Sequence, residues 1–263
     1  MSDAVTDFRV TFAPRGHRLT EPADTKPRFT VRWEAQDAPA SGVWAERRRL
    51  ASAMRLVIER LIASDAPEDE LRVTADRLEQ YAEHLATHPR RKRYEGIAES
   101  ALAQAAEAGP GAEVKVTLGP GHFDFSPLIG RSNPLAPPIS VRAENGRVHA
   151  EVVFGSAYEG PPASLHGGYV AAAFDEVLGF AQSLTGNPGM TGRLEVTYRS
   201  PTPLHTPLRF EAWVESVVGR KITARCTLHA GERLCAEATG LFISIKPGTF
   251  EKLIAERERQ EKG

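Results

Sequence analysis

The stretch LHGGYVAAAFDEVLG, Leu165 to Gly179, holds the residues of this 263-residue chain best suited to chemistry. His166, Gly167 and Gly168 open a run of good helix formers, and Asp175 follows nine positions after His166. Two residues without Cβ at a helix start expose backbone N–H groups, and the positive end of the helix dipole favours a developing negative charge; such a turn can polarise a carbonyl oxygen. Asp175 is read as the one acid of an otherwise small and apolar segment, where it is poorly hydrated unless something binds it. It lies roughly 10–12 Å down the same helix, too far to act on a carbonyl held at its own helix start. A second copy of the helix, packed antiparallel, closes that gap.

The elements that must position these groups follow from periodicity. One central helix is expected from about 168 to 184, stopped by Gly186-Asn187-Pro188-Gly189. Gly168, Ala171, Ala172, Asp175 and Gly179 fall on one stripe; Val170, Phe174, Val177, Leu178 and Ala181 fall on the other side. Before the helix, 139–143 and 147–154 alternate as strands around the hairpin signal Asn145-Gly146, with Val148, Ala150, Val152 and Phe154 pointing one way. After it come four alternating runs, containing Leu194-Val196-Tyr198, Leu208 to Val214, Ile222 to Leu228 and Leu234 to Phe242, with turns at Gly219-Arg220 and Gly231-Glu232. Two strands, a helix and four strands make an α+β pattern, an antiparallel sheet curled around one helix. Apolar residues on the outer face, such as Trp213, Leu241 and Ile243, favour association through the sheet.

Upstream, residues 1–40 read as an extended arm or two short edge strands, in Phe8 to Phe12 and Phe29 to Trp33. Residues 41–115 form a helical extension. Trp44, Leu50, Met54, Val57, Ile58 and Leu61 recur at helical spacing, and a second helix carries Leu71, Ala75, Leu78, Ala82 and Leu85 after a start with Pro67 in its first turn; the expected arrangement is an antiparallel helical hairpin. The basic run Arg90-Arg91-Lys92-Arg93 is a solvated cluster or a phosphate contact. Residues 116–247 hold the strands and central helix, with a proline-rich ordered loop at 126–138, and 248–263 form a charged tail.

A composition of 41% hydrophobic and 25% charged residues with net charge −1 describes an ordinary globular chain with no basic bias toward nucleic acid. No apolar run is long enough to span a membrane and the first residues lack signal-peptide features, so a cytoplasmic protein is the expectation. Cys226 and Cys235 lie on two strands around Gly231-Glu232; with those two residues as the turn, Cys226 faces Glu237 and a disulfide is not expected. No His, Cys and acid cluster argues for a metal, and Ser164 lacks the elbow that a serine triad requires.

HGG with an Asp nine residues after the His, preceded by YEGPPAS and followed by TGRLEVTYRSPTPL, resembles the PaaI-type hotdog-fold acyl-CoA thioesterases over roughly residues 121–246. The resemblance implies a hotdog fold, a curved antiparallel sheet wrapped around a central helix, dimerisation through that sheet, and active sites shared between subunits of a homodimer or homotetramer. It implies hydrolysis of acyl-CoA without metal or redox cofactor. Asp175 would be the general base for water or a nucleophile, Gly167 and Gly168 would give N–H donors to the thioester oxygen, and His166 would hold the loop or bind the carbonyl region. Thr191, sixteen residues after Asp175, stands where some relatives carry a hydroxyl that orients the water. One departure is that Gly160 stands six residues before His166, where several members carry Asn. The alternative function is a non-catalytic acyl-CoA-binding hotdog module whose N-terminal helices engage a protein.

Overall fold

A computed structural model describes residues 29–33, 40–89, 114–118, 123–137, 139–187 and 189–245, with four positions of the C-terminal segment. The strand reading at 8–12, the Arg90 to Arg93 run and most of the tail lie outside the described residues. In chain order the first elements are β1 (Phe29–Trp33), α1 (Gly42–Ala63), α2 (Glu68–Ala86) and β2 (Val114–Leu118). They are followed by β3 (Ser140–Glu144), β4 (Arg147–Val152), α3 (Gly167–Ser183), β5 (Gly189–Tyr198), β6 (Leu208–Val218), β7 (Lys221–Ala230) and β8 (Arg233–Ser244).

The six later strands form one antiparallel sheet in the order β3-β4-β6-β7-β8-β5. The β3–β4 hairpin turns on Asn145 and Gly146 at φ 51° and 75°, the left-handed conformation that a two-residue turn demands and these residues tolerate. Val148, Ala150, Val152 and Phe154 are all buried, as alternation requires. Helix α3 crosses the inner face and buries Val170, Ala173, Phe174, Val177, Leu178 and Ala181 against it. Phe174 meets Phe210 edge to face, with ring centroids 5.4 Å apart. Each of the larger side chains among these contributes about 2 kcal/mol by burial. Gly240 lies close beneath the helix: a Cβ there would stand 3.2 Å from Leu178 of α3 and 2.7 Å from the Phe242 ring of its own strand. This is the hotdog arrangement.

The expected pairing of the cysteine-bearing strands needs correction. A register shift between Leu228 and His229 moves Cys226 opposite Ala238 rather than Glu237, because the bulge adds a residue to β8 just after the turn. That bulge also lets Cys235 and Ala236, adjacent in sequence, both be buried. The two thiols are free.

Helix α1 docks through one polar face. Arg48 pairs with the buried Asp124 at 3.0 Å, Arg55 donates to the carbonyls of Arg131 and Asn133, and Glu59 accepts from the N–H groups of Ser156 and Ala157 at 2.9 and 3.2 Å. Trp44 packs against Phe125 with tilted rings and centroids 5.8 Å apart, and Ala51 is the buried residue of the helix. Both expected helices are present, but they do not run against each other as a closed hairpin. Ser64 and Pro67 are extended, so Pro67 caps α2 from outside rather than sitting in its first turn, and no residue of α2 is buried. β1 pairs in parallel with β2, a partnership invisible in either short strand alone.

Candidate active site

The 3₁₀ turn Ser156–Tyr158 and the loop after it lead into α3. His166 is the residue before the first helical turn, and its Nδ1 accepts from the Gly168 N–H at 3.0 Å. Its neutral ring therefore carries the remaining proton on Nε2. Histidine here replaces the usual Ser or Asp in satisfying one orphan donor of the helix start. The N–H groups of Tyr169 and Val170 go to the His166 carbonyl at 2.9 and 3.3 Å. Gly168 was expected as a second donor toward substrate, but its N–H is taken by its own histidine; Gly167 is the remaining first-turn donor without an acceptor among the described residues.

Gly167 is fixed from the other side. The Tyr198 hydroxyl, at the end of β5, donates to the Gly167 carbonyl at 2.8 Å. Tyr198 lies within the TGRLEVTYRSPTPL segment, yet its aromatic ring read only as strand alternation. Seven residues earlier on the same strand, Thr191 Oγ1 donates to Asp175 Oδ1 at 2.8 Å. The sequence-predicted Asp175 and Thr191 are thus brought together, and β5 tethers both ends of the candidate site to one edge strand. Asp175 is half-buried, while Thr191, His166 and Gly168 are exposed, so the small-residue stripe of α3 is an open surface in the single chain. His166 and Asp175 belong to the same helix, nine residues apart, and are not brought together within it.

Glu176 was missed. Asp175 is not the only acid of its segment, because its neighbour in sequence points the other way, into the region under the 123–137 loop. Ser126 Oγ donates to Glu176 Oε1 at 3.4 Å and itself accepts from the Leu128 and Ile129 N–H groups. Burial pushes the Glu176 carboxyl up to about 7, with the nearby Asp175 charge adding in the same direction and the Ser126 hydrogen bond opposing it. The sequence signal was plain: a second carboxylate inside an apolar helix.

The Asn-to-Gly departure has a steric counterpart. A Cβ on Gly160 would lie 2.7 Å from His166 Cα and 3.1 Å from its Cβ, so the loop is folded directly onto the histidine. The Gly160 N–H donates to Ser164 O at 2.9 Å, closing that loop, and Glu159 Oε1 accepts from the Ala163 N–H at 2.6 Å. Glu159 is therefore employed inside its own turn. Tyr158 packs edge to face on Tyr169, with centroids 4.8 Å apart, and burial raises its hydroxyl to about 12.

Residues 163–237 match the thioesterase superfamily model, and these hold the HGG turn, Asp175, Thr191 and Tyr198. A crystal structure of a thioesterase superfamily protein superimposes with TM-score 0.64 and 31% identity, covering 78% of this chain and 96% of that one. The chain belongs to the thioesterase superfamily. Among curated relatives, acyl-coenzyme A thioesterase THEM4 of Xenopus laevis is 36% identical over 95 residues, 35% of this chain and 43% of that protein. THEM4 of Bos taurus is 35% identical over 95 residues, 35% of this chain and 39% of the relative. The matched segment spans less than half the length of these curated relatives.

Proposed function

We propose that this protein hydrolyses acyl-CoA thioesters as a PaaI-type enzyme, with Asp175 activating water. The observation that carries the reading is the Thr191–Asp175 hydrogen bond on the open small-residue stripe of α3. Thr191 occupies Oδ1 and fixes the carboxylate's rotation, so Oδ2 is the oxygen left to take a proton from water. The water oxygen adds to the thioester carbon, and the carbonyl oxygen becomes an oxyanion held by the Gly167 N–H at a helix start. Collapse breaks the C–S bond, and the proton on Asp175 passes to the departing thiolate of coenzyme A. Similarity to acyl-coenzyme A thioesterases supports acyl-CoA as the substrate class.

The two halves of this chemistry are separated along α3, so the reading includes a second subunit whose HGG turn faces Asp175. β5 is an edge strand flanking the stripe, and its outer edge, unpaired among the described residues, suits pairing with a second copy. The partner's helix then packs antiparallel on the stripe of small residues, which permits close approach. Release of thiol from short, long and aromatic acyl-CoA substrates is the test. Asp175→Asn should lower turnover by at least about 10²-fold with assembly intact. Unchanged turnover would sink the mechanism, and tight binding without thiol release would favour the binding-module alternative.

A further inference from the structure

Helices α1 and α2 carry apolar seams that no other described residue covers. On α1, Leu50, Met54, Val57 and Leu61 recur at spacings of four, three and four; on α2, Leu71, Ala75, Leu78, Ala82 and Leu85 recur at four, three, four and three. That is the spacing of a helix packing along its length against another helix. The α1 seam lies roughly 130° around the helix from the face of Trp44, Arg48, Ala51, Arg55 and Glu59 that docks on the domain. Its large members are exposed, and Leu71, Leu78 and Leu85 of α2 are each between 42 and 47% exposed. Neither seam covers the other, since α1 and α2 do not pack along each other.

Charge identifies the occupant. α1 has five arginines against two glutamates, net +3, and α2 has six acids against two arginines, net −4. Removing Arg48, Arg55 and Glu59, which are engaged on the domain, leaves α1 net +2 with Arg47, Arg49 and Arg60 against Glu46. The two helices match in spacing and oppose in sign. An acidic amphipathic helix is also badly suited to an anionic lipid surface.

We infer that α2 packs on α1 of a second copy of this chain, giving an exchanged helical arm between subunits. The arm uses surfaces distinct from the β5 edge and the α3 stripe. It therefore stands or falls independently of thioester hydrolysis.

The test is disulfide trapping in the full chain. Cysteine is placed singly at Met54, Val57 or Leu61 in one preparation and at Leu71, Leu78 or Leu85 in another. The native Cys226 and Cys235 are buried, so they serve as a silent background. Mixed pairs, which can only bridge two chains, should give a product of twice the chain mass, with a yield that falls as salt rises. Failure of every mixed pair would overturn the inference, as would bridging confined to single chains that carry both Val57→Cys and Leu78→Cys. Thiol release by Leu78→Lys should match the parent whichever way trapping falls.

Discussion

Thr191 on the edge strand β5 holds Asp175 of the central helix through a 2.8 Å hydrogen bond, across sixteen residues of sequence. The bond fixes one carboxylate oxygen and leaves the other for water. Thr191→Ala should therefore lower kcat by about five- to tenfold, the worth of one hydrogen bond of about 1 kcal/mol, while Thr191→Ser restores most of it. Steady-state thiol release on the three proteins checks this; equal rates for the Ala and parent proteins would remove Thr191 from the site.

Gly167 offers an unusually clean separation of donor from fold. It is the first helical residue, where proline is favoured, and His166 before it has φ −59° and ψ 130°, a conformation that proline accepts in its predecessor. Gly167→Pro should keep the far-ultraviolet helix signal and lower kcat by about 10²-fold through loss of the N–H. Gly167→Ala keeps the donor and places its Cβ 3.4 Å from the Tyr198 hydroxyl, an ordinary contact, so it should retain activity.

The loop over His166 tolerates no side chain at Gly160. Gly160→Ala places Cβ 2.7 Å from His166 Cα, and the shift needed should cost about 1–3 kcal/mol of stability and reduce turnover by displacing the histidine that caps the helix. Thermal unfolding and thiol release on one variant read both. Full retention of each would show that the loop is not held against the histidine in solution.

Glu176 makes stability depend on pH. Its carboxyl titrates near 7 in the fold and near 4.5 when unfolded, so the folded state binds the proton more tightly. The stabilisation is complete below about 4.5 and is lost as pH rises through about 7, on the order of 3 kcal/mol in all. Denaturant unfolding between pH 5 and 8 should show the parent losing stability and Glu176→Gln losing less. Parallel curves would contradict this.

Arg48 and Asp124 hold α1 to the domain with exposures of 16 and 5%. Arg48→Ala strands a buried carboxylate and should destabilise by about 3–5 kcal/mol, with Asp124→Ala in the same chain recovering part of the loss. Equilibrium unfolding of the single and double variants measures the coupling.

Strand alternation and the helix stripe were legible because burial on one face leaves a period in the sequence: Val148 to Phe154 and Val170 to Ala181 occupy the core as spaced. Asp175 stood out as an acid on a small-residue stripe, whereas Thr191 was reached only through the family resemblance. Tyr198 was not legible, since its contribution is a hydroxyl reaching a backbone carbonyl, which no side-chain pattern encodes. The bulge near His229 shifts register without changing alternation, and so moved Cys226 opposite Ala238. The open arrangement of α1 and α2 escaped because periodicity identifies a face that needs a partner, and says nothing of which chain supplies it.

The central claim, that the HGG turn of one subunit serves Asp175 of another, is tested most directly by mixing two inactive proteins. Asp175→Asn and Gly167→Pro chains are unfolded together, refolded and assayed for thiol release. In a two-fold dimer with two shared sites, each mixed dimer holds one intact site and one doubly altered site, so activity should recover to about a quarter of the parent. A mixture as inactive as its two components would contradict a shared site.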